Sequence, residues 1–453
     1  MKDLRERLAA QGVHTLIAQF TDLHGVAKGK FLPLAQIDAL LTEGVSFTGA
    51  SIEGSGLPRC GPRSEYCARG AASTAQPLPW MPGFARVVCD GFVEGEPYEA
   101  CPRQVLRRAR ERLAEHGWNL RLGLQPEFFL LRQNAQGWQP ADAQDRLEQP
   151  SHDLRTLPRQ SGFLQELQHA LVECGVNVLQ ISHGDAPGQF ELNFGFDEAL
   201  ASADRLMLFK QAGHALAEAR QLVFSMMPKP YADLPGSAMN FHVSLWQGLG
   251  DNARNVFVPH RHDGAVDRHA FLSPLGQQFA AGVLAHAPAL CALAAPTINS
   301  YKRLHAPPTR VGPGWAPTRI AHGPNNRTAV LRTLHDRFEW RMPDSSANPY
   351  LAAAALVAAG LDGIERKLTL PPACVDDLYL PESPESANDP ARNWPRLPRF
   401  LVPALDALEA DEAISEALGP VLTSEFVRLK RLEVAEYVSH VSDWEWQRYA
   451  DRF

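Results

Sequence analysis

Four separated segments of this 453-residue chain alternate polar and apolar residues, as a β-strand with one buried face does. They span residues 124–130, 188–194, 239–245 and 337–342. Because successive side chains point to opposite faces of a strand, each segment presents an apolar row opposite a polar row. If the four strands lie side by side in one curved sheet, their polar rows meet on one concave surface. The pattern therefore predicts a sheet with a polar hollow.

The polar rows carry three acidic side chains and a histidine, namely Glu127, Glu191, Glu339 and His242. Carboxylates brought close together repel one another unless a cation lies between them. Oxygen-rich ligation of that kind suits Mg²⁺ or Mn²⁺ better than zinc. The competing interpretation is an ordinary half-exposed sheet with solvated polar residues, which fits any one strand better than it fits all four together.

Arginines are concentrated between residues 299 and 341, in a chain whose formal net charge is −7. Guanidinium groups bind phosphate and carboxylate oxygens bidentately, so the cluster favours an anionic ligand; arginines that pair with surface acids are the structural alternative. An acid cluster for metal beside an arginine cluster suits nucleotide-driven phosphoryl transfer. Because the chain has no phosphate-binding loop motif, any ATP would be held by arginines and metal. The cluster contains Arg303, Arg310, Arg319, Arg327, Arg332, Arg337 and Arg341.

Composition excludes several classes of protein. Hydrophobic residues make up 45% and charged residues 21% of the chain, which is typical of a globular protein. The negative net charge argues against nucleic acid or an anionic membrane as the main partner. The seven cysteines contain no Cys-x-x-Cys pair, and the charged N-terminus lacks a secretory signal, so we expect a cytoplasmic protein. The apolar run 351–361 is shorter than the roughly 20 residues that cross a bilayer, and it predicts a buried helix.

The composition changes near Cys101. Before this residue lie short strand-like runs separated by Gly- and Pro-rich turns. After it, an Arg/Glu-rich helix opened by Pro102 begins a mixture of helix-like and strand-like segments. We therefore predict an α+β protein with two domains, residues 1–101 and residues 102–453.

A series of motifs runs in order along nearly the whole chain: PEFFL (126–130), APGQFE (186–191), MPKP (227–230), NSYKRL (299–304), NRT (326–328) and, within 341–351, RMPD and ANPYL. Together they resemble the glutamine synthetase superfamily. WAP at 315–317 and the C-terminal end are most similar to the branch that contains γ-glutamylmethylamide synthetases and type III glutamate–ammonia ligases. The resemblance implies a small N-terminal β-grasp domain and a large catalytic domain with a curved antiparallel sheet flanked by helices. It also implies a homo-oligomer of two stacked hexameric rings.

The resemblance further implies a reaction and a set of site residues. ATP would phosphorylate the γ-carboxylate of glutamate, and ammonia or an amine would then displace phosphate. Glu127 and Glu191 match ligands of the metal on the substrate side, and Glu339 matches a ligand of the metal on the ATP phosphates. The positions that match substrate-binding residues are Arg303, Arg341 and Gly236. Those assigned to ATP are Lys229, Arg327, Arg332 and Arg337, of which Arg327 and Arg332 are expected to act on the moving phosphoryl group.

Some metal-ligand positions depart from the family pattern. Ligand glutamates of the family fall on Gln125 and Gly184, and a ligand histidine falls on Asn240. The nucleotide-side metal would therefore keep only one charged ligand. On the substrate side, His183 or Asp185 is expected to restore a third ligand.

Other departures concern the amine. The family's ammonium-binding aspartate corresponds to Thr48 and its flap glutamate to Trp315, which favours larger, less polar amines over ammonia. Tyr379, near a tyrosine that some relatives adenylylate, is interpreted as a surface residue. The histidine-containing run 259–263 is interpreted as a solvated turn.

The sequence also allows two alternatives to an ATP-dependent ligase. The first is a repurposed single-metal enzyme that uses no ATP, such as a hydrolase or cyclase acting on an amide or a related carboxylate derivative. The second is a non-catalytic ring that binds a metabolite or co-assembles with a true synthetase. The sequence predicts in each case a pocket for a small carboxylate-bearing molecule.

Overall fold

The computed structural model describes residues 2–135, 137–248, 250–260, 271–305, 314–380 and 394–453. Arg310 and residues 261–263 of the histidine-containing run lie outside these ranges. The described helices are α1 (Lys2–Ala10), α2 (Ile37–Thr42), α3 (Pro102–Glu115), α4 (Ser161–Glu173), α5 (Ala199–Glu218), α6 (Pro274–Ala285), α7 (Ala287–Ala294), α8 (Ile298–Leu304), α9 (Pro349–Glu365), α10 (Leu401–Ala410), α11 (Glu412–Leu418), α12 (Pro420–Ser439) and α13 (Asp443–Tyr449).

The N-terminal part forms a mixed sheet around a hairpin and helix α2. Its strands are β1 (Thr15–Thr21), β2 (Ala27–Pro33), β3 (Val45–Thr48), β4 (Glu65–Gly70), β5 (Gln76–Pro77), β6 (Phe84–Val93) and β7 (Glu96–Pro97). The main order is β2-β1-β6-β4-β3, with β1 parallel to β6. Phe20 anchors its core, 4.9 Å from the Phe47 ring and 4.8 Å from the Tyr66 ring. This arrangement agrees with the expected β-grasp unit.

The second sheet holds the four alternating segments. Its strands are β8 (Trp118–Asn134), β9 (Gly137–Pro140), β10 (Val178–His183), β11 (Gln189–Phe194), β12 (Asp197–Glu198), β13 (Val223–Ser225), β14 (Met239–Gln247), β15 (Arg254–Asn255), β16 (His322–Pro324), β17 (Leu331–Thr333) and β18 (Phe338–Trp340). The main order is β10-β11-β8-β14-β18-β17-β16, antiparallel except for β16 and β17. The four segments are therefore neighbours, as the sequence predicted, and the α+β class is confirmed.

The apolar rows of these strands form the core against the helices. Phe128 of β8 is fully buried, with ring centroids 5.8 Å from Phe190 and 4.8 Å from Phe224. The run 351–361 lies within α9 and is buried, as predicted. Gly282 lets α6 approach α9 closely, because a Cβ there would lie 2.0 Å from the Ala359 carbonyl oxygen. Among the described helices, none combines the length and apolar character needed to cross a membrane.

A buried ionic cluster joins the N-terminal sheet to the helices. The Arg103 guanidinium of α3 donates to Asp90 of β6 at 2.6 Å and to Asp204 of α5 at 2.9 and 2.8 Å. Asp204 also accepts from the Tyr350 hydroxyl of α9 at 2.7 Å. The domain bounds 1–101 and 102–453 stay a prediction, and α3 begins at Pro102.

Candidate active site

The polar rows of the second sheet face a cavity of about 580 Å³. Because the four strands are adjacent, side chains that are far apart in sequence reach this one space. The predicted site residues that line it are Glu127, His183, Asp185, Glu191, Gly236, Arg303, Arg327, Arg332, Glu339 and Arg341. Arg337 and Lys229 are not among the lining residues.

Glu127 and Glu191 form a facing carboxylate pair. They are partners in the antiparallel register of β8 and β11, so their side chains lie on the same face. Glu127 Oε2 accepts from the Ala238 amide at 2.8 Å and from Gln189 Nε2 at 3.0 Å, which leaves Oε1 for a ligand. Burial and the charge of Glu191 raise the pKa of Glu127 to about 8. Burial also raises the pKa of Glu191. A pair of this kind is relieved either by a shared proton or by a cation.

His183 and Asp185, the predicted third ligands, line the cavity but already contact other protein groups. His183 is buried, with Nε2 2.8 Å from Asp145 Oδ2 and Nδ1 2.8 Å from the Gly184 carbonyl oxygen. Because each ring nitrogen already has an oxygen at hydrogen-bonding distance, His183 could bind a metal only by giving up one of these contacts. The Asp185 carboxylate accepts from the Ser151 hydroxyl.

Glu339 forms ion pairs with two arginines. Its Oε1 accepts from Arg341 Nη1 at 2.6 Å and its Oε2 from Arg332 Nη1 at 2.8 Å. Burial acts to raise the pKa of Glu339, but the charges of Arg341, His242 and Arg332 hold this pKa below its usual value. This carboxylate is therefore ionised and already neutralised by protein groups.

The other two cavity arginines differ in how they are held. Arg303 is 2% exposed and donates to the carbonyl oxygens of Met342 and Arg341 at 3.0 and 3.3 Å. Arg327 is exposed at the cavity wall and makes no hydrogen bond or ion pair within the described part of the chain. An unengaged guanidinium beside Arg332 and Arg341 is suited to an anionic ligand.

Arg337 and Lys229 lie outside the cavity lining, whereas Gly236 is part of it. The Arg337 guanidinium donates to Asp336 at 2.6 Å and to Nδ1 of the lining residue His242 at 3.4 Å. The buried Lys229 ammonium donates to the Leu234 carbonyl oxygen, and burial lowers its pKa. Gly236 leaves no room for a side chain, since a Cβ there would lie 2.1 Å from the Pro228 carbonyl oxygen.

Trp315 and Tyr379 form an aromatic corner. Trp315 lines the cavity with a left-handed φ of 54°, and its carbonyl oxygen accepts from Arg341 Nη2 at 3.3 Å. The two rings pack edge to face, with their centroids 6.3 Å apart. Tyr379, interpreted from the sequence as a surface residue, is half-buried: its hydroxyl oxygen is buried, and burial raises the pKa of Tyr379 to about 12.

Gln189 and His152 are among the lining residues that were not predicted as site residues from the sequence. Gln189 Nε2 donates to both Glu127 and the Gly236 carbonyl oxygen. The position of Gln189 in the polar row of β11 was the sequence signal that could have identified it as a lining residue. His152 lines the cavity from a loop with φ of 60°, and its charge lowers the pKa of Glu191. Nothing in the sequence around residue 152 indicated this role.

The donor atoms fit a divalent cation at one end of the cavity only. Within the described ranges, no three His, Cys, Asp or Glu side chains come together as a ready metal-binding group. The Glu127–Glu191 pair fits Mg²⁺ or Mn²⁺ nevertheless, because Mg²⁺ is often held by one or two carboxylates and completes its shell with water and substrate oxygens. The Glu339 end does not fit, since both carboxylate oxygens already accept from arginines.

Comparison with known proteins places the chain in a family. Residues 99–449 match the family model described as "Glutamine synthetase, catalytic domain". The chain is 42% identical to a glutamate–methylamine ligase of Methyloversatilis universalis, over 100% of this chain and 99% of that protein. It is 37% identical to a glutamine synthetase of Halobacterium salinarum, over 98% of this chain and 95% of that protein.

Solved structures agree with the sequence relatives. The structure named "GmaS/ADP complex-Conformation 1" superposes with a TM-score of 0.89 at 34% identity, and "Apo GmaS without ligand" with 0.88 at 33%, each covering 100% of both chains. These relatives give no support to a hydrolase, a cyclase or a non-catalytic ring. The chain belongs to the glutamine synthetase family.

Proposed function

We propose that the chain is an ATP-dependent carbon–nitrogen ligase that joins a carboxylate, glutamate or a close analogue, to an amine through an acyl phosphate. The observation that carries this proposal is the Glu127–Glu191 carboxylate pair opening on the same cavity as four arginines. Acids for a cation beside guanidinium groups for oxyanions are the combination that phosphoryl transfer requires. The relative named glutamate–methylamine ligase supports the same class of reaction.

The chemistry balances in two steps. A carboxylate oxygen of the acid attacks the γ-phosphorus of ATP, and ADP leaves. The amine nitrogen then attacks the acyl carbon, phosphate leaves with the oxygen that carried it, and the amine loses a proton. Arg303, Arg341 and Gly236 orient the carboxylate, while Arg327 and Arg332 stabilise the charge on the moving phosphoryl group. Arg337 and Lys229 support the nucleotide side from outside the cavity lining.

A divalent cation, Mg²⁺ or Mn²⁺, belongs to the proposal at the Glu127–Glu191 pair. When bound, it would draw charge from the carboxylate and phosphate oxygens of the substrates. The two glutamates hold the cation site, and the Ala238 amide and Gln189 fix the orientation of Glu127.

An organic amine such as methylamine is the proposed second substrate. The Trp315 indole, which lines the cavity and is 38% exposed, offers an apolar surface for an alkyl group. A methyl group that packs on such a surface gains on the order of 1 kcal/mol over ammonia.

The proposal also covers assembly and location. Exposed aromatic residues at the C-terminal end, namely Trp444, Trp446 and Phe453, support a self-association surface. We infer two stacked hexameric rings, which light scattering would measure as about twelve chains. No disulfide joins any of the seven cysteines, all of which lie in the described ranges, and this supports the cytoplasm as the location.

The test measures ADP release by purified protein with Mg²⁺, glutamate and a panel of amines that includes methylamine and ammonium. We expect ADP release to require both the acid and the amine, with amide formed in equal amount. ADP release at the same rate with and without an amine would contradict the proposal. So would the absence of ADP release with every amine tested under saturating Mg²⁺ or Mn²⁺.

A further inference from the structure

We infer that the protein itself binds a divalent cation only at the Glu127–Glu191 pair, and that two guanidinium groups take the place of a cation at Glu339. The inference rests on the proposed function only in assigning the nucleotide to the arginine side of the cavity. It concerns which charges the chain supplies and which charge must arrive with the nucleotide.

The arginines at Glu339 are fixed in place. Arg332 is held by Asn325, whose Oδ1 accepts from Nε at 2.8 Å and from Nη2 at 2.5 Å. Arg341 is held through Nη2 by the Trp315 carbonyl oxygen. Glu339 is 2% exposed, so a cation would have to displace at least one guanidinium group from a buried carboxylate. Breaking a buried, hydrogen-bonded ion pair is costly.

The other side chains near Glu339 are poor metal ligands. His242 Nδ1 accepts from Arg337 Nε at 3.4 Å, which makes Nε2 the protonated nitrogen, and Nε2 lies 3.2 Å from Gln125 Oε1. The Gln125 side chain in turn hydrogen-bonds Glu191. The buried Asn240 Oδ1, which has no partner within the described chain, remains as an acceptor, and it is neutral.

Electrostatics separate the two ends of the cavity. At Glu127 and Glu191, two carboxyl groups face each other, and a cation removes the repulsion between their ionised forms. At Glu339, a single negative charge already contacts two positive ones. A further double charge at that place would repel both guanidinium groups. The nucleotide-side cation, where one is needed, would therefore be delivered by the nucleotide.

The test counts Mn²⁺ bound to the full-length protein without nucleotide, by equilibrium dialysis with electron paramagnetic resonance of the free ion. We expect one Mn²⁺ per chain in the wild type. Glu127→Gln should weaken this binding by about tenfold or more, the usual scale for disrupting a metal site. The matched change Glu339→Gln should leave it within about twofold, because Glu339 is not a ligand in this account.

Two bound cations in the wild type, no bound cation, or loss of a cation in Glu339→Gln would overturn the inference. The wild-type count decides the question even if Glu339→Gln fails to fold, which a melting curve would detect. The result is separate from the proposed function. A protein that binds two Mn²⁺ and still releases ADP refutes only the inference, whereas one that binds one Mn²⁺ and never releases ADP refutes only the ligase.

Discussion

Glu127 and Glu191 lie directly opposite each other on adjacent antiparallel strands, with both carboxylates at the wall of one cavity. Burial and their mutual repulsion raise the pKa of Glu127 to about 8. Bringing these two carboxyl groups together destabilises the folded protein electrostatically, and a positively charged ligand removes that destabilisation. The pair is therefore better explained by function than by stability.

The first prediction concerns the stability cost of this pair. Glu191→Gln should raise the free energy of unfolding of the cation-free protein by about 1 kcal/mol, the value of roughly one unit of partner pKa. The same change should weaken Mn²⁺ binding. Thermal melting with and without Mn²⁺ measures both effects, and exposed Glu115→Gln on α3 is the control. A less stable cation-free Glu191→Gln protein would contradict this explanation of the pair.

The second prediction separates two arginines of the cavity. Arg327 has no partner within the described residues, so Arg327→Ala should leave the melting temperature unchanged and lower kcat by about a hundredfold. Arg303→Ala should instead destabilise the protein by about 2 kcal/mol, because Arg303 holds two main-chain carbonyl groups. Equal melting temperatures for the two variants would argue against these separate roles.

The third prediction concerns the amine. Trp315→Ala removes the indole from the cavity wall and should raise KM for methylamine by about tenfold, which corresponds to about 1.4 kcal/mol of apolar contact. KM for ATP should change by less than about twofold. Trp315→Phe, which keeps an aromatic ring, is the matched control. If Trp315→Ala changes both KM values equally, the indole does not select the amine.

The fourth prediction is a pH dependence of stability at a site remote from the cavity. His286, between α6 and α7, contacts Asp411 at 2.6 Å and Asp362 at 2.9 Å. Burial acts against the charged ring, but the hydrogen bonds to the two carboxylates raise its pKa. A raised histidine pKa contributes stability that is fully present below the unfolded value of about 6.5 and is lost as pH rises through the folded value.

His286→Gln should therefore destabilise the protein more at pH 6 than at pH 9, by a difference on the order of 1 kcal/mol. Urea unfolding at the two pH values measures it, with exposed His169→Gln of α4 as the control. A loss of stability that is the same at both pH values would show that the ring acts only by packing.

The alternation of residues in four segments was sufficient to predict the second sheet and its polar hollow. The reason is that a strand has a period of two, so the row facing the cavity can be read directly from positions such as 125, 127, 189 and 191. The position of α9 followed equally well from its uninterrupted apolar run. Both signals are local in the chain.

The pairing of charges could not be predicted, because it depends on contacts between distant segments. Arg332 meets Glu339 because β17 and β18 place them opposite each other. His183 meets Asp145, which lies 38 residues earlier in a loop. Neither contact has a signal in the residues around it. His183, a candidate metal ligand from its sequence position, is instead held in the structure by a buried hydrogen bond to Asp145.

The most direct test of the ligase follows one oxygen atom. Glutamate labelled with ¹⁸O in its γ-carboxylate is incubated with ATP, Mg²⁺, methylamine and the protein, and the released phosphate is analysed by mass spectrometry. An acyl phosphate requires that the carboxylate oxygen leave with phosphate, so we expect one ¹⁸O atom in each phosphate and none in ADP. Phosphate that carries no ¹⁸O, released while amide accumulates, would contradict it.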